Sequence, residues 1–224
     1  MAMTRRIAIY GGSFDPFHLG HLVPVVRAQE TFQFEAVYFV PAGSPPHKNT
    51  GPLTPVTHRL AMVAMATLPY ENFFTSDDEV FAKQPTYSVE TVERFRTRFP
   101  DATLYFILGS DSFSQIETWE RWQELVESVH LVVLHRAHMW GEELAAKVPQ
   151  RLLARMCEVE VFAEVPDPGE LTVYLLNHEP FPISGTSIRA RQSRGLPIRE
   201  LVPHEVYSYI EKYGLYAPIG EMER

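Results

Sequence analysis

Two histidines, His18 and His21, stand three residues apart at the end of the run Gly11-Gly-Ser-Phe-Asp-Pro-Phe-His-Leu-Gly-His21. Gly11 and Gly12 let the backbone approach a ligand closely and take positive φ, and Ser13 and Phe14 share their turn. A helix opening near His18–Gly20 would aim its unpaired N–H groups at the crevice before it, which favours an anion. Side chains three apart lie on one face of a helical turn. Two imidazoles so placed suit phosphate oxygens. The same residues would also serve as a structural turn with ordinary histidines, but the glycines and the histidine pair act together here. Zinc chemistry fits poorly, because no third ligand stands at metal spacing and no His-Glu-x-x-His occurs. No metal-ligating side chain is expected.

Four further segments carry unusual polar residues. Pro41-Ala-Gly-Ser-Pro-Pro-His-Lys48 is a proline-stiffened loop presenting His47 and Lys48. In Pro85-Thr-Tyr-Ser-Val-Glu-Thr91, Thr86 and Ser88 are candidate helix caps. Leu108-Gly-Ser-Asp-Ser-Phe113 offers Gly109 as room for a ligand and Asp111 as an acceptor for ribose hydroxyls. It is followed by Trp119 and Trp122, i,i+3 on an expected helix, so that one belongs to the core and the other can stack on an aromatic base. Ile183-Ser-Gly-Thr-Ser-Ile-Arg189 is a hydroxyl-rich turn entering a helix, an anion nest with Arg189 one turn in.

These segments need a frame. Arg6–Tyr10, Glu35–Pro41, Thr103–Leu108 and His130–Leu134 read as buried strands, with Val159–Phe162 and Thr172–Leu176 as shorter ones. Helices are expected over Leu19–Gln29, Val56–Leu68 (apolar residues Leu60, Val63 and Ala64), Thr86–Phe99, Thr118–Ser128, Gly141–Met156, Ser184–Arg194 and Pro203–Tyr213. Alternating strands and helices imply an α/β fold, a Rossmann-like doubly wound parallel sheet with a small C-terminal helical region. A single domain over residues 1–224 is expected, with 184–216 as a helical subregion. In such sheets ligands bind beyond the carboxyl ends of the strands, here after Tyr10, Val40, Leu108 and Leu176.

The composition narrows the partners. The 224 residues carry 20 Lys+Arg against 28 Asp+Glu, a formal charge of −8, which argues against a nucleic-acid polymer or an anionic membrane as partner. The one cysteine, Cys157, excludes an internal disulfide and is expected to be a buried structural thiol. No apolar run approaches a membrane span or a signal-peptide core, so a cytoplasmic protein is expected. An oligomer is compatible with all of this.

The first segment is not a Gly-x-Gly-x-x-Gly fingerprint, and no Gly-Lys pair exists for a P-loop. It matches the (T/H)-x-G-H nucleotidyltransferase motif in its extended form GG(S/T)FDPxHxGH. The chain resembles the bacterial nicotinate-nucleotide adenylyltransferases over nearly its whole length. The resemblance implies a reaction: nicotinate mononucleotide plus ATP gives deamido-NAD and pyrophosphate, with Mg²⁺ carried on the ATP. It implies catalytic roles for His18, His21, Lys48 and Arg189. It implies that ATP meets Gly11, Gly12, Ser13, Phe14, His18 and His21, then Gly109 and Asp111, then Ile183, Ser184, Thr186, Ser187 and Arg189. It implies that the pyridine nucleotide meets Ser13, His47, Lys48, Thr86, Tyr87 and Trp119. The chain departs mildly at Ser88 and Glu90, where Thr and Asp are commoner, and at Gly185, which stands for the usual serine. The alternatives are a related nucleotidyltransferase acting on nicotinamide mononucleotide or phosphopantetheine, and a nucleotide-binding module without catalysis.

Overall fold

The computed structural model describes residues 5–43, 53–82, 84–136, 139–165 and 169–217. Its centre is a seven-stranded sheet in the order β3-β2-β1-β4-β5-β7-β6, in which every pairing is parallel. The strands are β1 (Arg6–Gly12), β2 (Ala36–Pro41), β3 (Phe73–Thr75), β4 (Thr103–Gly109), β5 (His130–Leu134), β6 (Met156–Glu160) and β7 (Val173–Asn177).

The side-chain alternation explains why helices cover both faces. Ala8 and Tyr10 of β1 enter one core, with Val37, Phe39, Tyr105 and Ile107. Ile7 and Ile9 enter the other, with Leu104, Phe106, Leu131 and Val133. A strand apolar on both sides must be covered on both sides. The cover comes from α1 (Leu19–Phe32), α2 (Val56–Thr67), α3 (Ser88–Arg98), α4 (Ser110–Phe113), α5 (Trp122–Val126), α6 (Gly141–Ala145), α7 (Gln150–Leu153), α8 (Gly185–Gln192) and α9 (His204–Tyr213).

Several expectations are corrected. The helix expected over Gly141–Met156 is two short helices, α6 and α7, separated by a turn with Pro149 as the N-cap of α7. Met156 already belongs to β6, which therefore runs over Met156–Glu160 rather than Val159–Phe162. Because β6 is an edge strand with Val159 its one buried residue, Cys157 is exposed, not buried. In α2 the interior face is Arg59, Met62, Val63, Ala66 and Thr67, so Val63 is core while Leu60 is half-buried and Ala64 exposed. The expected helix from Thr118 is a 3₁₀ turn (Ile116–Thr118) followed by α5, with Arg121 left-handed at φ 49 between them. β3 was not foreseen, since three residues are too few to show a period. No helix among the described residues is long and apolar enough to cross a membrane.

The strand starts form the far end of the sheet, away from the loops that carry chemistry. There His130 is 5% exposed and its Nδ1 accepts the Thr172 N–H at 3.1 Å. Burial, with Arg155 and Arg6 adding to it, pulls its pKa from 6.5 to about 4. An unfolded imidazole takes its proton near pH 6.5 and the folded one near 4. The unfolded chain thus binds more protons between these values, and stability is lost as pH falls through that window. The expected contribution is on the order of 3 kcal/mol. His130→Gln keeps an acceptor for Thr172 and should flatten the pH dependence between 6.5 and 4. Urea midpoints at pH 7 and 4.5 check this, and an unchanged slope would refute it.

Candidate active site

The chain runs from β1 outward to β2 and β3, then returns to place β4 on the other side of β1. This reversal parts the loops leaving β1 and β4, and a crevice forms at their carboxyl ends. A cleft of about 360 Å³ lies there. Of the sequence-expected residues, Gly11, Gly12, Ser13, Phe14 and His21 line it from β1 and its loop. Gly109, Asp111 and Trp119 line it from the β4 side, and Thr86 and Tyr87 from the entrance to α3.

Arg59 fixes the loops around this cleft. Its side chain is 1% exposed. Its Nε donates to Thr54 O at 2.9 Å and its Nη1 to Ser13 O at 2.6 Å. Its Nη2 donates to Ala42 O at 2.7 Å and Gly43 O at 3.2 Å. Burial lowers its pKa, and the nearby Asp15 and Tyr216 oppose that. Apolar spacing in α2 cannot mark a buried arginine, so this residue was missed.

The structure places His18 and His21 differently with respect to the cleft. His18 is the N-cap of α1, 1% exposed, and does not line the cleft. Its ring stacks on His21 with centroids 3.6 Å apart. Its backbone N–H donates to His21 Nδ1 at 3.3 Å. That assignment leaves the neutral His21 ring with its hydrogen on Nε2. Phe14 and Phe17 also pack on the ring, at 5.1 and 5.5 Å. His21 is thus a donor of fixed orientation and His18 its buried support. Gly20 allows this, since a Cβ there would lie 3.1 Å from His18 Nδ1 and 3.3 Å from Ile183 O.

On the β4 side, Trp119 is half-buried, edge-on to Phe106 at 6.2 Å, with part of its ring lining the cleft. Trp122 points elsewhere and is covered by the Arg151 guanidinium at 4.1 Å. The two do not share a helix, because Trp119 precedes α5. At the entrance to α3 the N-cap is Tyr87, not Thr86 or Ser88, and its N–H donates to Glu90 Oε2 at 3.2 Å. Glu90 in place of aspartate therefore still closes a capping box.

The Ile183–Arg189 segment does not line the cleft. Ser184 caps α8, its Oγ accepting Ser187 N–H at 3.2 Å while Ser187 Oγ donates to Ser184 O at 2.8 Å. Arg189 Nη1 donates to Asp15 O at 2.5 Å, and its Nη2 reaches Thr186 Oγ1 at 3.4 Å. A Cβ on Gly185 would fall 2.6 Å from that Asp15 oxygen, so the glycine lets α8 close against the loop after β1. His47 and Lys48 lie outside the described residues.

Arg136 and Glu79 are among the cleft residues that were not foreseen. Arg136 follows β5, and its Nη2 donates to Tyr10 Oη at 3.3 Å. Burial opposes its charge, but Tyr10 and Asp111 outweigh it and hold the guanidinium above its usual pKa. The rule that pointed beyond Tyr10, Val40, Leu108 and Leu176 applies equally beyond Leu134 and would have found it. Glu79 follows β3 and is 7% exposed, its Oε1 accepting Thr91 Oγ1 at 2.6 Å. Burial raises its pKa, while Thr91 and Arg94 pull it back. With β3 unrecognised, nothing in the sequence marked Glu79.

The cytidylyltransferase-like family model matches residues 9–191. A chain from Desulfatibacillum aliphaticivorans, named a probable nicotinate-nucleotide adenylyltransferase, is 35% identical over 94% of this chain and 99% of its own length. The chain belongs to this family. A relative of the same name from Acidithiobacillus ferrooxidans is 36% identical over 94% of this chain and 95% of its own. The nicotinic acid mononucleotide adenylyltransferase of Plasmodium falciparum, solved with APC and with NaAD, shares the fold at TM-score 0.71 and 22% identity, over 95% of this chain and 97% of that one.

Gly109 has the tightest surroundings in the cleft. A Cβ there would lie 2.4 Å from Asp111 Oδ1 and 2.7 Å from Arg136 Cδ. Gly109→Ala should displace both side chains and raise the KM of a substrate held there about tenfold, with a small change in melting temperature. Steady-state kinetics on the variant check this.

Proposed function

We infer that the protein joins ATP and nicotinate mononucleotide, forming deamido-NAD and releasing pyrophosphate. The observation that carries this reading is the 35% identity, across 94% of the chain, to a relative named for that activity. A phosphate oxygen of the mononucleotide forms a bond to the α-phosphorus of ATP as the bond from that phosphorus to the β-phosphate oxygen breaks. The attacking oxygen is already ionised, so no side-chain nucleophile or general base is required. Both reactants are anions, and the protein's work is to hold them in line and offset their repulsion. Positioning of this kind supplies on the order of 7–11 kcal/mol.

The cleft supports this division of labour. His21 Nε2–H is a preset donor for charge developing on the α-phosphate. Gly11 and Gly12 let the phosphates approach the backbone. Arg136 adds a cation from the β5 side. The Arg189 guanidinium and the first turn of α8, outside the cleft lining, take the β- and γ-phosphates on the strength of the family motif. Asp111 accepts from ribose hydroxyls. Trp119 stacks on the pyridine ring, and the entrance to α3 around Thr86 and Tyr87 faces the ring's carboxylate. His47 and Lys48 take their phosphate-facing role from the family motif alone. Among the described residues no three His, Cys, Asp or Glu side chains gather to hold a metal. On this reading Mg²⁺ enters as part of the ATP substrate, and no side chain is assigned to it.

Incubation with ATP and either nicotinate or nicotinamide mononucleotide, with chromatographic detection of dinucleotide and pyrophosphate, tests the reading. Preferential formation of deamido-NAD is expected, and phosphopantetheine should not compete. His21→Ala should lower kcat by about 100- to 1,000-fold with ATP affinity changed only a few-fold. Turnover near wild type would remove the donor role. Trp119→Ala should raise the mononucleotide KM roughly three- to tenfold and leave that for ATP unchanged. An unaltered mononucleotide KM would exclude stacking.

A further inference from the structure

Asp15 lies inside the glycine-histidine segment, yet it faces away from the cleft and is 5% exposed. Three stretches of chain meet on it. Thr54 N–H, ahead of α2, points to its Oδ2 at 3.4 Å. Arg189 Nη1 donates to its carbonyl at 2.5 Å and lies 3.8 Å from Oδ2. Gly185 abuts the same carbonyl. Tyr216, beyond α9, donates its hydroxyl to Oδ1 at 2.7 Å. To arrive there the chain turns at Gly214, φ 60, and holds Tyr216 itself at φ 64, a conformation a bulky residue rarely adopts. Such strain persists where surrounding contacts enforce it. Burial and the Asp15 charge raise the phenol's pKa, so it stays a donor.

We propose that Tyr216 and Asp15 are positioning residues that lock Arg189 and the loop after β1 in the geometry that receives the nucleotide's β- and γ-phosphates. Neither touches the substrate. One edge of the Arg189 guanidinium is committed to Asp15, while the side chain keeps 28% exposure. Nη2 spends one hydrogen on Thr186 Oγ1 and keeps the other to meet an oxyanion. A guanidinium already fixed on one side loses less rotamer freedom when a phosphate arrives. The inference rests on the reading of Arg189 as a phosphate holder. A tail that merely sealed the core would need the Tyr216 ring but not its hydroxyl.

Tyr216→Phe removes the hydroxyl alone. Calorimetric titration of the full chain with MgATP and, separately, with adenosine isolates the part of the affinity that the phosphates supply. The lock predicts that the variant binds adenosine within twofold of wild type and MgATP about tenfold more weakly, with the larger effect on the ATP KM than on kcat. Equal loss for both ligands, or a lower melting temperature with no loss for MgATP, would overturn it. Asp15→Asn keeps an oxygen for Tyr216 but removes the charge facing Arg189. If Tyr216→Phe fails to fold, the same ratio is read on this variant, where MgATP should again weaken selectively. Turnover of the wild type is scored apart. A wild type that favours MgATP over adenosine but makes no deamido-NAD overturns the proposed reaction and leaves the lock standing. A wild type that does not favour MgATP overturns both.

Discussion

Arg59 sends its guanidinium into the gap between two loops and satisfies four backbone carbonyls with it. A buried carbonyl without a donor costs about 1–3 kcal/mol, and a buried cation without acceptors costs more. Each side of the arrangement therefore requires the other. The loop after β1 and the loop after β2 cannot relax outward without stranding the charge. The charge cannot move to solvent without stranding the carbonyls. The glycine turn, the pinned imidazole of His21 and the mouth of the cleft all hang from that mutual constraint.

The electrostatic arrangement follows from the same economy of cations. The protein as a whole is acidic at −8, and the described lining of the cleft includes Glu79, Asp111 and Glu120 as well as His21 and Arg136. Anionic substrates are therefore not drawn to a broadly positive surface. On the proposed reaction they are met at a few points by donors whose direction is already set. His21 owes its direction to the N–H of His18, and Arg136 is held between Tyr10 and Asp111. Preorganised donors need little rearrangement as charge moves, which is where they exceed water as a solvent for a transition state.

Much of the frame was legible in the sequence, because strands buried on both faces write themselves as continuous apolar runs. Thr103–Leu108 and His130–Leu134 are of this kind. The glycine-histidine segment was legible because spacing alone puts its groups together. The missed residues share a cause. Arg59 sits on an interior face that apolar periodicity cannot announce, since it is charged. Glu79 depends on a three-residue strand, and Cys157 on which strand ends the sheet, and both are decided by tertiary pairing. The retreat of His18 behind His21 is also tertiary, because both share a helical turn and only packing chooses which one faces the ligand.

The central position of β1 has a consequence for how the molecule is built. β1 is flanked by β2 and β4, so one of its edges stays unpaired until residues 103–109 have emerged. The cleft gains its β5 wall only with Arg136, and Asp15 meets Tyr216 last of all. A nascent chain therefore has Arg59 to hold its glycine-histidine loop well before it has the β4 and β5 walls of the cleft. The cleft is thus closed by contacts far apart in sequence, which form only after long loops have closed.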